Sequence, residues 1–362
     1  MTRKRIPVLV LAAFSALSLL AACGGSDDNS DSTSQGSTSD AAKLAAATLN
    51  ASGATFPQAF YEQVIAAFAE RHSGVTINYG GGGSGKGRTD LQTGVVDFAG
   101  SDGLVKAEDA AKYKGPFLYF PTVAAPITVS YKLDGLSDQL QLSPDTIAKI
   151  FQREIKTWND KAIAADNPGA KLPSTAITVA RRSDSSGTTE NFTKFLKAAS
   201  PTAWKLDAGS TVSWPADTQG GNGNSGVAQI VNGTNGAIGY VDFSDAEATG
   251  LKWAKVKNKA GKFVDATLEG ASAALGGVEI KPDLSYSPLW ADGDAAYPIT
   301  APTWILAYTN QPDKAKGEAL KAFLTFIYGD GQEAAAEVNY AKLPDSLKDR
   351  GLAQVDQLVI PG

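Results

Sequence analysis

The stretch Val179-Ala-Arg-Arg-Ser-Asp-Ser-Ser-Gly-Thr-Thr-Glu190 runs from a strand-like end through a short polar loop into an apolar series, Phe192, Phe195 and Leu196, at helical spacing. A chain that makes this join repeatedly is committed to strands feeding helices, an α/β fold. The first N–H groups of a helix lack internal partners and carry the positive end of its dipole, so such a loop can hold an anion. Ser186, Thr188 and Thr189 add hydroxyl donors there, and the backbone of Gly187 can approach closely. Arg182 offers a fork of donors to a tetrahedral oxyanion, and Asp184 is near enough to hold that guanidinium in one orientation. A capped helix beside a surface ion pair accounts equally well for this stretch alone. Two further loops of the same kind tip the balance.

The first of these is Ala51-Ser-Gly-Ala-Thr-Phe-Pro57, which follows a short strand beginning near Ala47. Phe60, Val64, Ile65 and Phe68 then define one face of an amphipathic helix ending near His72-Ser-Gly74. Thr55 is its expected N-cap and Pro57 suits its first turn, so Thr55 and Phe56 mark a second anion-friendly helix start. The other loop, Gly80-Gly-Gly-Gly-Ser-Gly-Lys-Gly87, lies between the strand Val75 to Tyr79 and a helical stretch from Arg88 to Thr93. It mimics a nucleotide phosphate loop, but Gly87 occupies the place of the magnesium-binding hydroxyl. Gly80, Gly82 and Gly85 also fit a dinucleotide fingerprint, a cheap match in a run so rich in glycine. Ser84, a hydroxyl at a loop-to-helix junction, is the residue to keep. Val95 to Asp102 reads as a buried strand that delivers Asp102 to the edge where parallel sheets bind ligands.

Farther along, Phe117 to Tyr131 is apolar and holds Pro121 and Pro126, as suits a strand crossing between two lobes. Ser143-Pro-Asp145 opens a helix, Gly220 to Gly226 reads as a loop before a helix from Val227 to Val231, and Asp292-Gly-Asp294 reads as a turn. Trp304 to Tyr308 is a strand able to return to the first lobe, and Ala315 to Tyr328 is a clear amphipathic helix.

The length of 362 residues, 43% of them hydrophobic, provides for two domain cores. A formal net charge of -5 argues against a nucleic-acid surface and requires local donors to capture any anion. Residues 1–22 form a signal segment, with a cationic start and an apolar run from Val8 to Leu20 that is short for a membrane span. It ends in Leu20-Ala-Ala-Cys23, which resembles the lipobox of bacterial lipoproteins and marks Cys23 for acylation. Cys23 is the sole cysteine, so an exported chain without internal disulfides follows. Residues 23–46 include a Gly, Ser, Asp and Asn tract that reads as a flexible tether. Some 20 to 25 residues of such chain span about 25 Å.

The chemistry of hydrolysis lacks its parts. One histidine, His72, sits at a helix end, so a Ser-His-Asp triad, a Cys-His pair and a histidine-rich zinc site cannot be assembled. No catalytic residue, metal or cofactor is expected.

The stretches Ser52 to Pro57, Tyr79 to Gly85, Val96 to Asp102, Val179 to Thr188, Gly236 to Tyr240, Tyr297 to Thr300 and Leu343 to Ser346 together resemble the bacterial phosphate-binding lipoproteins that feed the high-affinity phosphate ABC transporter. They run in family order across nearly the whole mature chain. The resemblance implies a two-lobed periplasmic-binding-protein fold of type II, each lobe a sheet flanked by helices, with a hinge of two crossing strands. It implies lobe I from 47–122 and 301–362, and lobe II from 123–300. Carried over position by position, it implies phosphate binding by Thr55, Phe56, Ser84, Asp102, Arg182, Ser186, Gly187 and Thr188, with Asp184 as the arginine's partner. Gly85-Lys86-Gly87 departs from the family's Ser-Gly-Gly run, and Lys86 could place a cation near the mouth.

The partners implied are inorganic phosphate and the membrane permease subunits of the transporter. The protein is expected to be a monomer anchored through Cys23 on the extracytoplasmic face of the cell membrane. Physical chemistry gives Asp102 a reason: phosphate keeps a P–OH at neutral pH whereas sulfate has none, so a buried carboxylate accepts from one and repels the other. A receptor for another tetrahedral oxyanion such as sulfate or molybdate is the alternative of the same kind, and a secreted phosphatase the alternative of a different kind.

Overall fold

The computed structural model describes residues 44–362. The signal segment 1–22, Cys23 and the tether as far as residue 43 lie outside the described residues.

The chain begins with alternating strands and helices. They are β1 (Ala47–Gly53), α1 (Gln58–Arg71), β2 (Val75–Gly80), α2 (Ser84–Thr93), β3 (Phe98–Ser101) and the short α3 (Ala107–Ala110). β1 lies parallel to both β2 and β3. α1 buries Phe60, Val64 and Phe68 as its spacing forecast, but Tyr61 joins them and the forecast Ile65 is only partly buried. Its start differs from expectation: Pro57, not Thr55, stands at the N-cap, and no side chain caps the helix. The Thr55 hydroxyl is engaged by Asn224 instead, at 3.3 Å from both its backbone nitrogen and its Nδ2. β3 is also shorter than the sequence suggested, beginning at Phe98, and Val95 is exposed.

β4 (Phe117–Tyr131) is one continuous strand of 15 residues, buried throughout except at its first two positions. Its first part pairs with β12 and its last part, Ile127 to Tyr131, with β8. The change of partner falls at Pro126, whose missing N–H leaves no ladder donor to satisfy at that step. A register shift accompanies Pro121, between Thr303 and Trp304 of the facing strand.

Next come β5 (Gln141–Leu142), α4 (Pro144–Phe151), α5 (Lys161–Asp166), β6 (Thr178–Arg182), α6 (Gly187–Ala199), β7 (Gln219–Gly221) and α7 (Gly223–Gly233). Ser143 caps α4 by accepting from the Thr146 N–H, as Ser-Pro-Asp promised. α7 begins four residues before the expected Val227, so most of the supposed Gly220 to Gly226 loop is helix. β8 (Ala237–Asp242), α8 (Phe243–Ala248), β9 (Lys252–Trp253), β10 (Lys255–Lys257), β11 (Phe263–Val264) and α9 (Leu268–Leu275) follow. The chain closes with β12 (Thr300–Tyr308), α10 (Lys314–Tyr328), α11 (Gly331–Glu337) and α12 (Asp345–Val355).

The main sheet has nine strands, in the order β2-β1-β3-β12-β4-β8-β6-β7, with β9 also paired to β4. β5, β10 and β11 form a second, three-stranded sheet. In one half of the main sheet β1, β2 and β3 are parallel; in the other β6, β7 and β8 are parallel. The antiparallel strands β4 and β12 join the halves. The carboxyl ends of five parallel strands, β1, β2, β3, β6 and β7, lead to residues that meet along the seam between the halves, the edge where open α/β sheets bind ligands.

Gly53 makes a close backbone-to-backbone approach within the first half. Its φ of +143° is accessible to glycine, and a Cβ there would stand 2.1 Å from the Gly100 carbonyl oxygen. Gly53→Ala should therefore lower stability by about 2 kcal/mol or more, read as a drop in the urea midpoint. Gly233→Ala, where a Cβ would meet nothing within 4 Å, should leave the midpoint unchanged or slightly raised. Equal midpoints for the two variants would contradict this reading of Gly53.

Candidate functional site

Arg182 ends β6 with its side chain buried, and it is held from two directions. Its backbone N–H donates to the Tyr240 hydroxyl at 3.0 Å. Its Nε donates to Asp184 Oδ1 at 2.7 Å and its Nη2 to Asp184 Oδ2, a fork against a carboxylate. Nη1 is left for Thr188 Oγ1 at 3.3 Å. Asp184 also accepts the Gly223 N–H at 3.2 Å, which ties the start of α7 to the same pair. Burial by itself would raise the Asp184 carboxyl; the bonds and charge of Arg182, with the Gly223 N–H, hold it below its ordinary value. The pair is therefore ionised at neutral pH and locally self-neutralising.

Ser186 is the N-cap of α6, accepting from the Thr189 N–H at 3.1 Å. That leaves Gly187 and Thr188 as the first helical residues, where backbone N–H groups have no partner within the helix. Gly187 faces the other half of the sheet at close range. A Cβ there would lie 2.3 Å from Ser84 Oγ and 2.7 Å from Asp102 Oδ2, so only glycine permits this approach.

Asp102 follows β3 and is 2% exposed. The Thr303 hydroxyl donates to its Oδ1 at 2.7 Å, and Ser84 Oγ lies 3.3 Å from Oδ2. Ser84, the first residue of α2, in turn accepts the Asp102 N–H at 3.1 Å. Asn191 of α6 donates to the Asp102 carbonyl at 2.6 Å, a bond that crosses the seam. Burial pushes the Asp102 carboxyl up to about 7, while the Thr303 hydroxyl, the Arg182 charge and Ser84 pull the other way. The group thus sits where it can give or take a proton near neutrality.

The structure therefore brings Ser84, Asp102, Arg182, Asp184, Ser186, Gly187 and Thr188 together. Thr55 joins them through Asn224, whose Nδ2 lies 3.3 Å from both Thr55 Oγ1 and Thr188 Oγ1. Phe56 is fully buried beside Tyr340, which donates its hydroxyl to the Phe56 carbonyl at 2.6 Å. Lys86 makes an ion pair with Asp90 one turn along α2 and lines an open cavity that also includes Ser185 and Ser210. It is therefore not a free cation at the seam. Two residues escaped the sequence reading, Thr303 and Asn224. Their only sequence signals were a hydroxyl in a returning strand and an asparagine in a glycine-rich run.

With helix starts from both halves meeting around one arginine and one carboxyl of raised affinity for protons, fold and site define a solute receptor. A family model described as the PBP superfamily domain matches residues 33–331. The phosphate-binding protein PstS of Pasteurella multocida is 36% identical over 314 residues, covering 85% of this chain and 90% of that one. PstS of Methanocaldococcus jannaschii is 36% identical over 337 residues, 86% of each chain. The solved structure of a high-affinity periplasmic phosphate-binding protein (PfluDING) with bound phosphate superposes with a TM-score of 0.71 at 24% identity, covering 87% of this chain and 100% of that one, a likeness of fold. The chain belongs to the PstS phosphate-binding protein family of the PBP superfamily.

The Asp102 carboxyl makes stability depend on pH. Its folded pKa lies above the unfolded one, so the ligand-free folded state holds the extra proton between about pH 4 and 7. Stability from this group is full below that window and is lost as pH rises through it. In Asp102→Asn this contribution to the slope should vanish. Denaturant unfolding of the ligand-free proteins should show the wild type losing ground to the variant between pH 4 and 8, by an amount on the order of 3 kcal/mol. A gap that stays constant with pH would contradict the raised carboxyl.

Proposed function

We propose that this chain binds inorganic phosphate with high affinity at the seam between the two halves of its main sheet and hands it to the permease of a phosphate ABC transporter. The observation that carries this reading is the pairing, around one buried spot, of many hydrogen-bond donors with a single buried acceptor, Asp102. Thr55, Phe56, Ser84, Arg182, Ser186, Gly187 and Thr188 present hydroxyl, guanidinium and backbone N–H donors to the phosphate oxygens. Asp184 keeps the Arg182 fork oriented. Asp102 accepts from the one ligand oxygen that keeps its proton. The protein is a solute receptor and not an enzyme.

Two lobes, from 47–122 with 301–362 and from 123–300, hinge about β4 and β12 and close over the anion. Support comes from the change of partner along β4, the strand shared by both halves.

Calorimetry on protein stripped of bound anion should give tight binding of phosphate, weaker binding of arsenate, and little of sulfate at pH 8. In Asp102→Asn the preference for phosphate over sulfate should shrink by at least about 10-fold, since an amide can donate to a sulfate oxygen. The wild type should itself become less selective as pH falls from 8 to 5, because a carboxyl with a pKa of about 7 then carries a proton it can give to sulfate. Unchanged selectivity in both experiments would remove Asp102 from this role. Turnover of a phosphate ester by the same protein would favour the phosphatase alternative.

The protein is a lipoprotein held through Cys23 at the extracytoplasmic face of the cell membrane and works there as a monomer. Support comes from the signal segment ending in Leu20-Ala-Ala-Cys23 and the polar tether after it. Among the described residues no helix is long and apolar enough to cross a membrane. Labelled palmitate should enter the wild type and not Cys23→Ala, which should appear in the soluble fraction; equal labelling would refute acylation at this position.

A further inference from the structure

Asn224 is the second residue of α7, fully buried, and it does not cap its own helix. Its backbone N–H and its Nδ2 both lie 3.3 Å from Thr55 Oγ1. The same Nδ2 lies 3.3 Å from Thr188 Oγ1, which also accepts from Arg182 Nη1 at 3.3 Å. Its Oδ1 is buried with no partner among the described residues, so the polar contribution of the side chain lies on the nitrogen side.

A threonine hydroxyl has one proton to give and two lone pairs to fill. A backbone N–H and a guanidinium can only donate, so Thr55 and Thr188 are each an acceptor toward at least one fixed donor. The Asn224 amide fills the second lone pair of each. Both hydroxyl protons are then left for a third partner.

We infer that Asn224 is a positioning residue for the anion: one amide, reaching across the seam, fills the lone pairs of Thr55 and Thr188 and so compels both hydroxyls to donate to the ligand. A hydroxyl committed in this way can donate only to a bare ligand oxygen. The ligand's proton is thereby excluded from the Thr55 and Thr188 positions and directed to Asp102. Asn224 thus contributes to phosphate specificity through two other side chains. The inference rests on the phosphate reading given above.

A double-mutant cycle with calorimetry of inorganic phosphate at pH 8 tests it. Asn224→Ala should weaken binding about 10- to 30-fold, the scale of one or two misdirected hydrogen bonds. In the Thr55→Val, Thr188→Val background, where there is no hydroxyl to orient, the same change should cost less than about 3-fold. Asn224→Asp keeps the shape but accepts from the two hydroxyls. It should bind worse than Asn224→Ala at pH 8, with the gap narrowing toward pH 5 as its carboxyl gains a proton to donate. Ligand-free unfolding midpoints for each variant separate lost folding from lost orientation, and the isosteric Asp keeps the test open where Ala unfolds the protein. Equal losses in both backgrounds, or Asn224→Asp binding as well as Asn224→Ala at every pH, would overturn the role of Asn224 while leaving phosphate binding intact. A wild type that ignores phosphate would overturn both.

Discussion

A carboxyl buried where it can barely afford its charge is the constraint around which the rest of the seam is arranged. Asp102 could have been relieved by a lysine or arginine in contact, and it is not. Its direct partners are the Thr303 and Ser84 hydroxyls, and the Arg182 charge, acting without contact, lowers its proton affinity less than Thr303 does and more than Ser84 does. Neutral donors compensate a buried carboxylate incompletely, and that is why its proton affinity stays high. A full salt bridge would have occupied the carboxylate oxygens and left no acceptor for the proton of phosphate; an apolar setting would have fixed it as an acid and admitted sulfate. The intermediate state demands exact neighbours: β12 must run beside β3, with Trp304 opposite Ser101, to deliver Thr303, and α2 must begin at Ser84.

The other buried charge obeys the opposite rule. Arg182 is paired with Asp184, which engages two of its three guanidinium nitrogens. The fork fixes the position of Nη1 rather than supplying a strong positive field. In a chain of net charge -5, anion capture then depends on donors counted one by one, including the first N–H groups of α6. Such recognition reads hydrogens and lone pairs, which differ between phosphate and sulfate, more than it reads charge, which differs less.

Residues at strand ends were legible in the sequence because each announces itself locally. A strand-like run followed by small hydroxyl residues and glycine locates Ser84, Ser186, Gly187 and Thr188 without any knowledge of pairing. The apolar run from Phe117 to Tyr131 likewise showed its length and its prolines. Thr303 was hidden because its link to Asp102 depends on strand register across 201 positions, which no local pattern encodes. Asn224 was hidden because Gly223 and Gly226 disfavour a helix, so the segment read as a loop. The helix forms because Val227 and Val231 press on Gly239 of β8, and because the backbones of Gly221 and Gly226 meet closely, a tertiary gain that outweighs propensity. Thr55 was misread as a cap for a related reason: the same rule that makes hydroxyls good caps makes them good partners for any nearby N–H, and Asn224 competes successfully.

The contacts across the seam are few and polar, whereas the strands that join the halves are buried in apolar surroundings. Across the seam the Gly85 N–H donates to the Ser185 carbonyl at 2.9 Å, Asn191 reaches Asp102, Asn224 reaches Thr55, and Arg88 lies 3.7 Å from Glu190. Each of these groups can exchange its partner for water at a net cost of only about 1 kcal/mol. β4 and β12, by contrast, bury Val123, Ala124, Ala125, Ile305 and Leu306 completely, and separating them would expose a core. The hinge proposed above would therefore part along the seam and bend at the strands. A ligand that bonds to both sides adds its interactions only to the closed arrangement, so its binding energy is expressed as closure. The Asn224 amide, bonded to one hydroxyl from each half, can set both protons only when the halves have met. Under the proposed closure, donor orientation and closing would be a single event, and an anion unable to complete the Asp102 bond would forfeit both.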